Sequence, residues 1–345
     1  REVVYGQRYR ILTKADLRND LRGWVAEELT RLFTENAKDN SESRLLARLD
    51  AMLPGFFVSA EEFFPPFSLA LIQRDLEESA RPRADGLHQG MLSPLMEAAK
   101  RAMELQRDFL VNDVVPETVT QFETEYSAGW NEVEDLSKNT LTTIKQEAAE
   151  QNRRVDIRTL VQLLTQTLGM PIALGANPGA EISDRDLLEA VRRSYDARAA
   201  DNVYRRIVKR ANLAFNFKWN ADGELDFSAL REALVSALES AYTAQAEKHL
   251  AEIERELGER VKNADDMHGV KLANLLLQIS HTRQTAFDQR THQRIEFLVP
   301  RFPWVHVAAE KIQGRDQTTL REEILDYWNE SLVQLENARG GAAAF

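Results

Sequence analysis

Most of the chain repeats its apolar residues at the spacing of an amphipathic helix. This period runs through residues 92–150, from Ser228 to about Ile295, and from Thr318 to about Asn337. In residues 1–36 the apolar positions fall on roughly one stripe, formed by Val4, Ile11, Leu17, Leu21, Val25, Leu29 and Leu32. Recurrence every three or four residues is typical of a helix with one buried face. We therefore expect an all-α protein built mostly of long helices.

Proline, glycine and serine positions predict where several of these helices begin and end. The residue before a proline disfavours the helical region, so Val115-Pro116 predicts a break in the helical stretch 92–150. A compact apolar helix face around Leu160–Leu168 ends at Gly169-Met-Pro171, and Ser183 is a suitable N-cap for the next helix.

One segment has the alternation expected of a strand. In residues 213–219 the large apolar side chains occupy every second position, at Leu213, Phe215, Phe217 and Trp219. Asp222-Gly223 follows and favours a tight turn. We expect at most one short β-hairpin, here, in an otherwise helical protein.

Residues 53–67 are rich in phenylalanine and proline and permit two interpretations. The segment holds Phe56, Phe57, Phe63, Phe64 and Phe67. One interpretation is a buried corner where helices meet. The other is a hydrophobic patch that docks a peptide, since large exposed apolar patches mark interaction sites.

Composition limits the class of protein without naming it. The chain has 345 residues, of which 43% are hydrophobic and 29% charged, so it can bury a core and is long enough for two or more domains. It has no cysteine, which removes disulfides and thiolate metal sites. The first residue is Arg1, so we expect a piece of a longer chain. No apolar run reaches the roughly 20 residues of a membrane span, and no signal peptide is evident.

The formal charge of −11 argues against nucleic acid as the main partner. A basic run interrupts this acidic background and is either a solvated helix face or a binding surface. Its members are Arg192, Arg193, Arg198, Arg205, Arg206, Lys209 and Arg210.

The patterns that usually mark catalysis are missing from the sequence. There is no phosphate-binding G-x-x-x-x-G-K-[ST] loop, no H-E-x-x-H metal motif and no G-x-S-x-G nucleophile turn. His281 and His292 stand eleven residues apart, which on a helix is too far for one ion. We expect no catalytic residue, no bound cofactor and no metal site in this chain.

Four segments, taken together and in order, resemble the C-terminal helical part of the SecA preprotein translocase family. The opening REVVYGQRYRILTKADLR resembles the SecA scaffold helix through Arg1, Glu2, Tyr5, Gln7 and Arg8. Residues 229–250 resemble the return into the scaffold, with Leu230, Arg231, Glu232, Tyr242, Glu247 and Lys248. Residues 272–290 and 314–332 are similar to the two helices of the SecA finger. The finger turn, FLVPRFPWVHVAAEKIQG, is longer than in the family, and the middle of the chain is much longer than a usual helical wing.

The resemblance implies a helical scaffold with an inserted, enlarged helical wing domain. Its domains would be a scaffold helix (1–40), the first part of the wing (41–86), the enlarged wing or inserted domain (87–228), the scaffold return with the two-helix finger (229–339) and a tail (340–345). Pro300 and Pro303 interrupt the finger, so residues 298–306 are expected to form its tip. The tip residues would be Phe302, Trp304, Val305 and His306, which would either pack onto the chain's own enlarged middle domain or contact a channel or translocating chain.

The resemblance also implies a function that depends on a parent protein. The parent's motor domains would bind ATP and Mg²⁺, and this region would couple their motion to preprotein movement through the SecY channel. Its partners would be those motor domains, SecY and the preprotein, at the cytoplasmic face of the cell membrane. Self-association is a further expectation, because the stripe of a long amphipathic helix needs covering.

Two other functions remain open on the sequence alone. The first is a stand-alone helical interaction or chaperone-like protein. The second is an enzyme whose site is assembled from scattered carboxylates, for which bound metal in the purified protein would be the sign.

Overall fold

The computed structural model of the protein describes residues 18–39, 41–59, 61–79, 87–152, 156–174, 183–219, 224–260, 267–288, 290 and 292–342. Helices account for 77% of the described residues, which confirms the prediction of a mostly helical chain. Within these ranges, strands occur in two antiparallel, two-stranded sheets. The expectation of at most one hairpin is therefore wrong.

The helices are α1 (Arg18–Asp39), α2 (Glu42–Met52), α3 (Phe67–Ser79), α4 (Leu87–Phe109), α5 (Val115–Glu150), α6 (Ile157–Leu168), α7 (Asp184–Ala211), α8 (Phe227–Arg260), α9 (Gly269–Ser280), α10 (Val305–Ile312) and α11 (Gln317–Ala342). The strands are β1 (Phe56–Phe57), β2 (Phe63–Phe64), β3 (His281–Asp288) and β4 (Gln293–Pro300). A π-helical turn, Leu110–Val114, joins α4 to α5. The predicted break at Val115-Pro116 is thus a local change of helix type, because Pro116 lies in the first turn of α5, where a missing N–H costs little.

The chain divides into two compact units. The first unit combines the residues up to Gln106 with those from Glu247 onward, and the second unit covers Arg107–Ala246. Both boundaries fall inside helices, one in α4 and the other in α8. The wing and finger domains implied by the resemblance to SecA remain predictions.

The core of the first unit is arranged around the short helix α10. This helix packs against α2 and α3, and α3 also packs against α9. Leu46, Ile72, Leu276 and Ala308 represent these four helices in the core, each with no more than 1% of its surface exposed. Because α10 is covered from several sides, its sequence VHVAAEKI is apolar and small-residue rich.

The aromatic segment 53–67 forms a small hairpin in the first unit. Phe56 pairs with Phe64 and Phe57 with Phe63 across β1 and β2. Gly55 stands before it, where a side-chain Cβ would clash with the ring of Phe63, so the backbone approaches that ring more closely than a larger residue permits. Phe63 and Phe67 are buried while Phe57 is exposed, so the segment is partly a buried corner and partly open to solvent.

The second unit packs α6 and α7 against the long helix α5. Leu141, Leu164, Leu187 and Val191 lie in one apolar cluster among these helices. Two sequence-predicted boundaries are confirmed here. Gly169 ends α6 in the left-handed conformation, at φ 59°, and Ser183 caps α7 in a reciprocal capping box with Asp186.

The predicted strand at residues 213–219 has no regular secondary structure, and the turn predicted at Asp222-Gly223 lies outside the described residues. The alternation has another cause. Tyr204 on α7 donates its hydroxyl to the Phe215 carbonyl at 2.5 Å, and its ring contacts those of Phe215 and Phe217. A segment whose alternate side chains are held against a helix shows the same period of two as a strand.

Candidate functional site

The four residues predicted to form the finger tip lie at the edge of the core of the first unit. Phe302 and Trp304 are 2% and 5% exposed, His306 is buried and Val305 is half-buried. Trp304 donates its indole N–H to the Leu276 carbonyl at 3.3 Å. The tip prediction is wrong because the chain does not turn there between two helices.

The chain reverses earlier, in a β-hairpin. The expected first finger helix, Leu275–Ile295, ends at Ser280, and the chain then continues as β3. Strands β3 and β4 pair over eight positions, from His281 opposite Pro300 to Asp288 opposite Gln293. We call this hairpin, residues 281–300, the arm. Most of its residues are exposed, including the large apolar side chains Phe287, Ile295, Phe297 and Leu298.

The scaffold-helix motif of the sequence analysis, formed by Arg1, Glu2, Tyr5, Gln7 and Arg8, lies outside the described residues. The described part of the predicted scaffold helix 1–40 is α1, which packs against α2 and α11 within the first unit.

A cavity of about 500 Å³ lies where the arm joins the body of the first unit. A second cavity of about 410 Å³ shares Phe57, Leu277 and Leu298 with it. We call the two together the basal groove. Phe57 and Leu298 stand at its rim with 55% and 47% of their surface exposed. Phe63, Phe302 and Trp304 line its interior, so the groove offers aromatic and aliphatic surface to a partner.

Two acidic side chains line this groove, Asp50 in the first cavity and Glu61 in the second. Asp50 of α2 lies in its wall, and burial raises the pKa of the Asp50 carboxyl to about 6. Ser68 opposes that shift, because its backbone N–H donates to Asp50 Oδ1 at 3.1 Å and its hydroxyl donates to Oδ2. Both bonds favour the ionised carboxylate, yet the cost of removing its charge from water is larger.

A buried arginine holds the arm to the body. Arg301 follows β4 directly, and its side chain is only 4% exposed. Its backbone N–H donates to the Ser280 carbonyl at 2.7 Å, at the point where α9 becomes β3. Its Nη2 reaches Glu256 at 2.8 Å and Glu252 at 3.5 Å, both on α8. Both ends of the arm are therefore fixed against α8.

His281, the first residue of the arm, is neutral near pH 7. Its Nδ1 lies 3.0 Å from the Leu277 carbonyl and 3.0 Å from the Ser280 hydroxyl. Burial lowers the pKa of His281, the Leu277 carbonyl opposes that shift, and the nearby Arg301 adds to it. The imidazole of His281, which lines this end of the groove, is therefore neutral.

The second unit contains a buried polar network. Asp196 is fully buried, accepts the Tyr126 hydroxyl and accepts the Leu225 N–H at 3.1 Å. Arg192 lies 3.2 Å from the same carboxylate, with its guanidinium over the Trp130 ring at 4.4 Å. These bonds tie the segment before α8 to α5 and α7, which is a structural role.

Much of the basic run on α7 is paired with neighbouring groups. Three of its arginines form ion pairs on the surface of the second unit: Arg205 with Asp201, Arg206 with Glu125 and Arg210 with Glu117. Arg198 donates to the Gly169 carbonyl at 3.1 Å. These contacts favour the solvated-face interpretation over a binding surface.

In the described part of the chain, no three metal-ligating side chains converge. Across the described helices, none is both long enough and apolar enough to cross a membrane. No protein-family model, curated protein or solved structure matches this chain.

Sequence reasoning missed the basal groove, although two signals for it were present. The paired phenylalanines of residues 53–67 raised the possibility of a peptide-docking patch, and Phe57 does stand at the rim. Apolar residues alternate with charged ones from Arg294 to Phe297, which is a strand signal inside a stretch assigned to helix.

Proposed function

We propose that this chain is a non-catalytic polypeptide-binding region. Its basal groove receives large apolar side chains of an unfolded or extended client. The observation that carries this proposal is an apolar groove with Phe57 and Leu298 exposed at its rim. A folded protein rarely leaves such surface in water unless a partner covers it.

The dimensions and chemistry of the groove favour a polypeptide over a small charged ligand. Cavities of about 500 and 410 Å³ are large enough for single bulky side chains such as Phe or Leu. The aromatic side chains of the first cavity give contact area at low entropic cost. Polar side chains beside this surface are Asp50 and His281 in the first cavity. In the second cavity they are Glu61, Asn274, Gln278 and Arg283.

The resemblance to SecA suggests the identity of the client. On this proposal the chain is the non-motor C-terminal part of a SecA-like translocase subunit, the client is a preprotein, and coupling to ATP-driven motors and the SecY channel takes place at the cytoplasmic face of the membrane. The continuous helix α8 supports it, since Leu230, Tyr242 and Lys248 of the scaffold-like segment lie on that one helix. The alternative is a stand-alone chaperone-like protein that uses the same groove.

Fluorescence anisotropy with labelled, unstructured peptides tests the groove. A peptide rich in Phe and Leu should bind, while one with Ser at those positions should not. Phe57→Ser and Leu298→Ser should each weaken binding about tenfold, because each removes roughly 1.5 kcal/mol of apolar contact. Val333→Ser on α11 is the matched control, since Val333 is exposed and does not line the groove. Equal affinity in all four proteins would refute the proposed site.

A photo-crosslinker at position 298 distinguishes a translocase subunit from a stand-alone chaperone-like protein. In inverted membrane vesicles with the full-length parent, crosslinks to a translocating preprotein would support the translocase setting. Crosslinks only to unfolded protein free of membranes would favour the chaperone-like alternative. Crosslinks to neither would count against both.

A further inference from the structure

The arm has an open edge on each side. Among the described residues its sheet contains β3 and β4 alone, so the outward backbone N–H and C=O groups of both strands lack a strand partner there. Such edges are templates for pairing with another chain unless charge or proline prevents it. In an antiparallel ladder, residues opposite each other lie on the same face, so a register can be judged by which side chains it places together.

The sequence of β4 is complementary to itself when read in the opposite direction. If two β4 strands pair antiparallel about a two-fold axis through Ile295, Arg294 of each copy stands opposite Glu296 of the other. On the other face of the sheet, the same register places Ile295 opposite Ile295 and Phe297 opposite Gln293. Two opposite-charge pairs and a central apolar pair therefore form at once, and each is a favourable cross-strand pair.

The outer edge of β3 has no equivalent register. Its charged residues are Arg283 and Asp288, which are five positions apart. Side chains alternate between faces with a period of two, so residues an odd number apart lie on opposite faces. No antiparallel register of two β3 strands can bring these charges together.

Charge also favours contact through the arm. The chain as a whole has a formal charge of −11, so two copies repel each other over most of their surface. The arm reverses this sign locally, because residues 281–300 contain three arginines and only Asp288 and Glu296 as acids. The approach of two arms is the one least opposed by the overall charge.

We propose that the partner of the arm is a second copy of this chain, with β4 pairing antiparallel to β4 in a four-stranded sheet. Ala286, Ile295, Phe297 and Val299 of each copy lie on one face of that sheet. This interface shares Leu298 of β4 with the rim of the basal groove, but it does not rest on the proposed client binding.

The dimer should be weak when only the arms meet. Stable interfaces bury about 1,200–2,000 Å² in total, and one pair of eight-residue edges buries less than that. Contacts of this size are typical of weak, transient association, so we expect a dissociation constant on the order of 10–100 μM. Sedimentation velocity from about 5 to 500 μM spans that range and should show a concentration-dependent shift from monomer to dimer.

Charge reversal tests the register. Arg294→Glu and Glu296→Arg should each weaken dimerisation at least tenfold, because each places like charges opposite one another. The double variant Arg294→Glu/Glu296→Arg restores both opposite-charge pairs and should dimerise like the parent chain. Arg283→Glu, on the other strand of the arm, is the matched control and should leave the dimer unchanged.

A cysteine trap gives an independent readout. The chain has no cysteine, so a single Ile295→Cys variant can form a disulfide only between copies. The register places position 295 of one copy directly opposite position 295 of the other, at a backbone spacing within disulfide reach. Rapid oxidation to a covalent dimer supports the proposal, with Ala286→Cys on β3 as the slow control. Equal oxidation rates, or a dimer unaffected by either single charge reversal, would overturn it.

Discussion

Replacing Asp50 by Asn should make the protein more stable at neutral pH. Burial raises the pKa of this carboxyl from an ordinary value of 3.8 to about 6. Because the folded state holds the proton more tightly than the unfolded state, the stabilising contribution is full below pH 3.8. It is lost as the pH rises through 6. The native protein therefore carries a destabilising charge above pH 6, worth about 2–3 kcal/mol for a shift of this size.

Asparagine removes the charge and keeps the shape. Its side-chain oxygen can still accept the Ser68 N–H that Asp50 accepts at 3.1 Å, and its amide can donate to the Ser68 hydroxyl. We expect the free energy of unfolding of Asp50→Asn to exceed that of the parent by about 2 kcal/mol at pH 8. The two proteins should be equal near pH 4.

Urea denaturation of both proteins at several pH values between 4 and 8 measures this difference directly. Subtracting one curve from the other removes the contribution of every other titrating group. Asp75→Asn is the control, since Asp75 forms a solvent-accessible ion pair with Lys311 and should change stability by less than about 1 kcal/mol at any pH. A stability difference for Asp50→Asn that does not vary with pH would refute the assignment of the charge to the groove wall.

Two further predictions concern buried ionisable groups of the first unit. Burial lowers the pKa of His306 to about 4, so the parent should lose up to about 3 kcal/mol of stability as the pH falls from 6.5 to 4. His306→Gln, compared with the parent by urea denaturation, should abolish much of that loss. Arg301→Met should cost about 2–3 kcal/mol, because Glu252 and Glu256 lose their buried partner but keep some access to water. Hydrogen exchange should then rise in the arm and stay unchanged in α5, and equal exchange in both would contradict an anchoring role.

Helices and their caps could be predicted because the signals for them are local. Gly169 supplies a left-handed conformation and Ser183 supplies an oxygen for free N–H groups, whatever the rest of the chain does. The same local rules gave a strand at residues 213–219, where the decisive contact is with Tyr204 on another element. Apolar side chains at every second position do not identify which element the segment packs against.

The arm shows why the candidate site was placed wrongly. Residues 281–300 follow the apolar helix α9 without a glycine or proline to mark its end, so the helical pattern was extended too far. The strand state depends on pairing between β3 and β4 and on the anchor at Arg301, and neither is a property of one local window. The groove depends on residues far apart in the chain, Phe57 and Leu298, which no spacing rule connects.

Trp304 is the residue on which the tip and core interpretations differ most. At 5% exposure, in edge contact with the Phe302 ring at 4.9 Å, it fills space between α9 and α10. Trp304→Ala should therefore cost about 3–5 kcal/mol through lost burial and a cavity, while Trp304→Phe keeps the ring and should cost less than half of that.

The loss should appear as a lower melting temperature by circular dichroism. It should also appear as faster hydrogen exchange in α9 and α10, with the second-unit helix α5 as internal control. A partly exposed tip residue would instead show unchanged melting and exchange after truncation, with loss confined to binding a partner. That result would support the prediction that residues 298–306 form a finger tip. Trp304 also lines the basal groove. Trp304→Phe keeps an aromatic ring there, so it should weaken peptide binding only slightly. Its effects on binding and on folding can be measured separately.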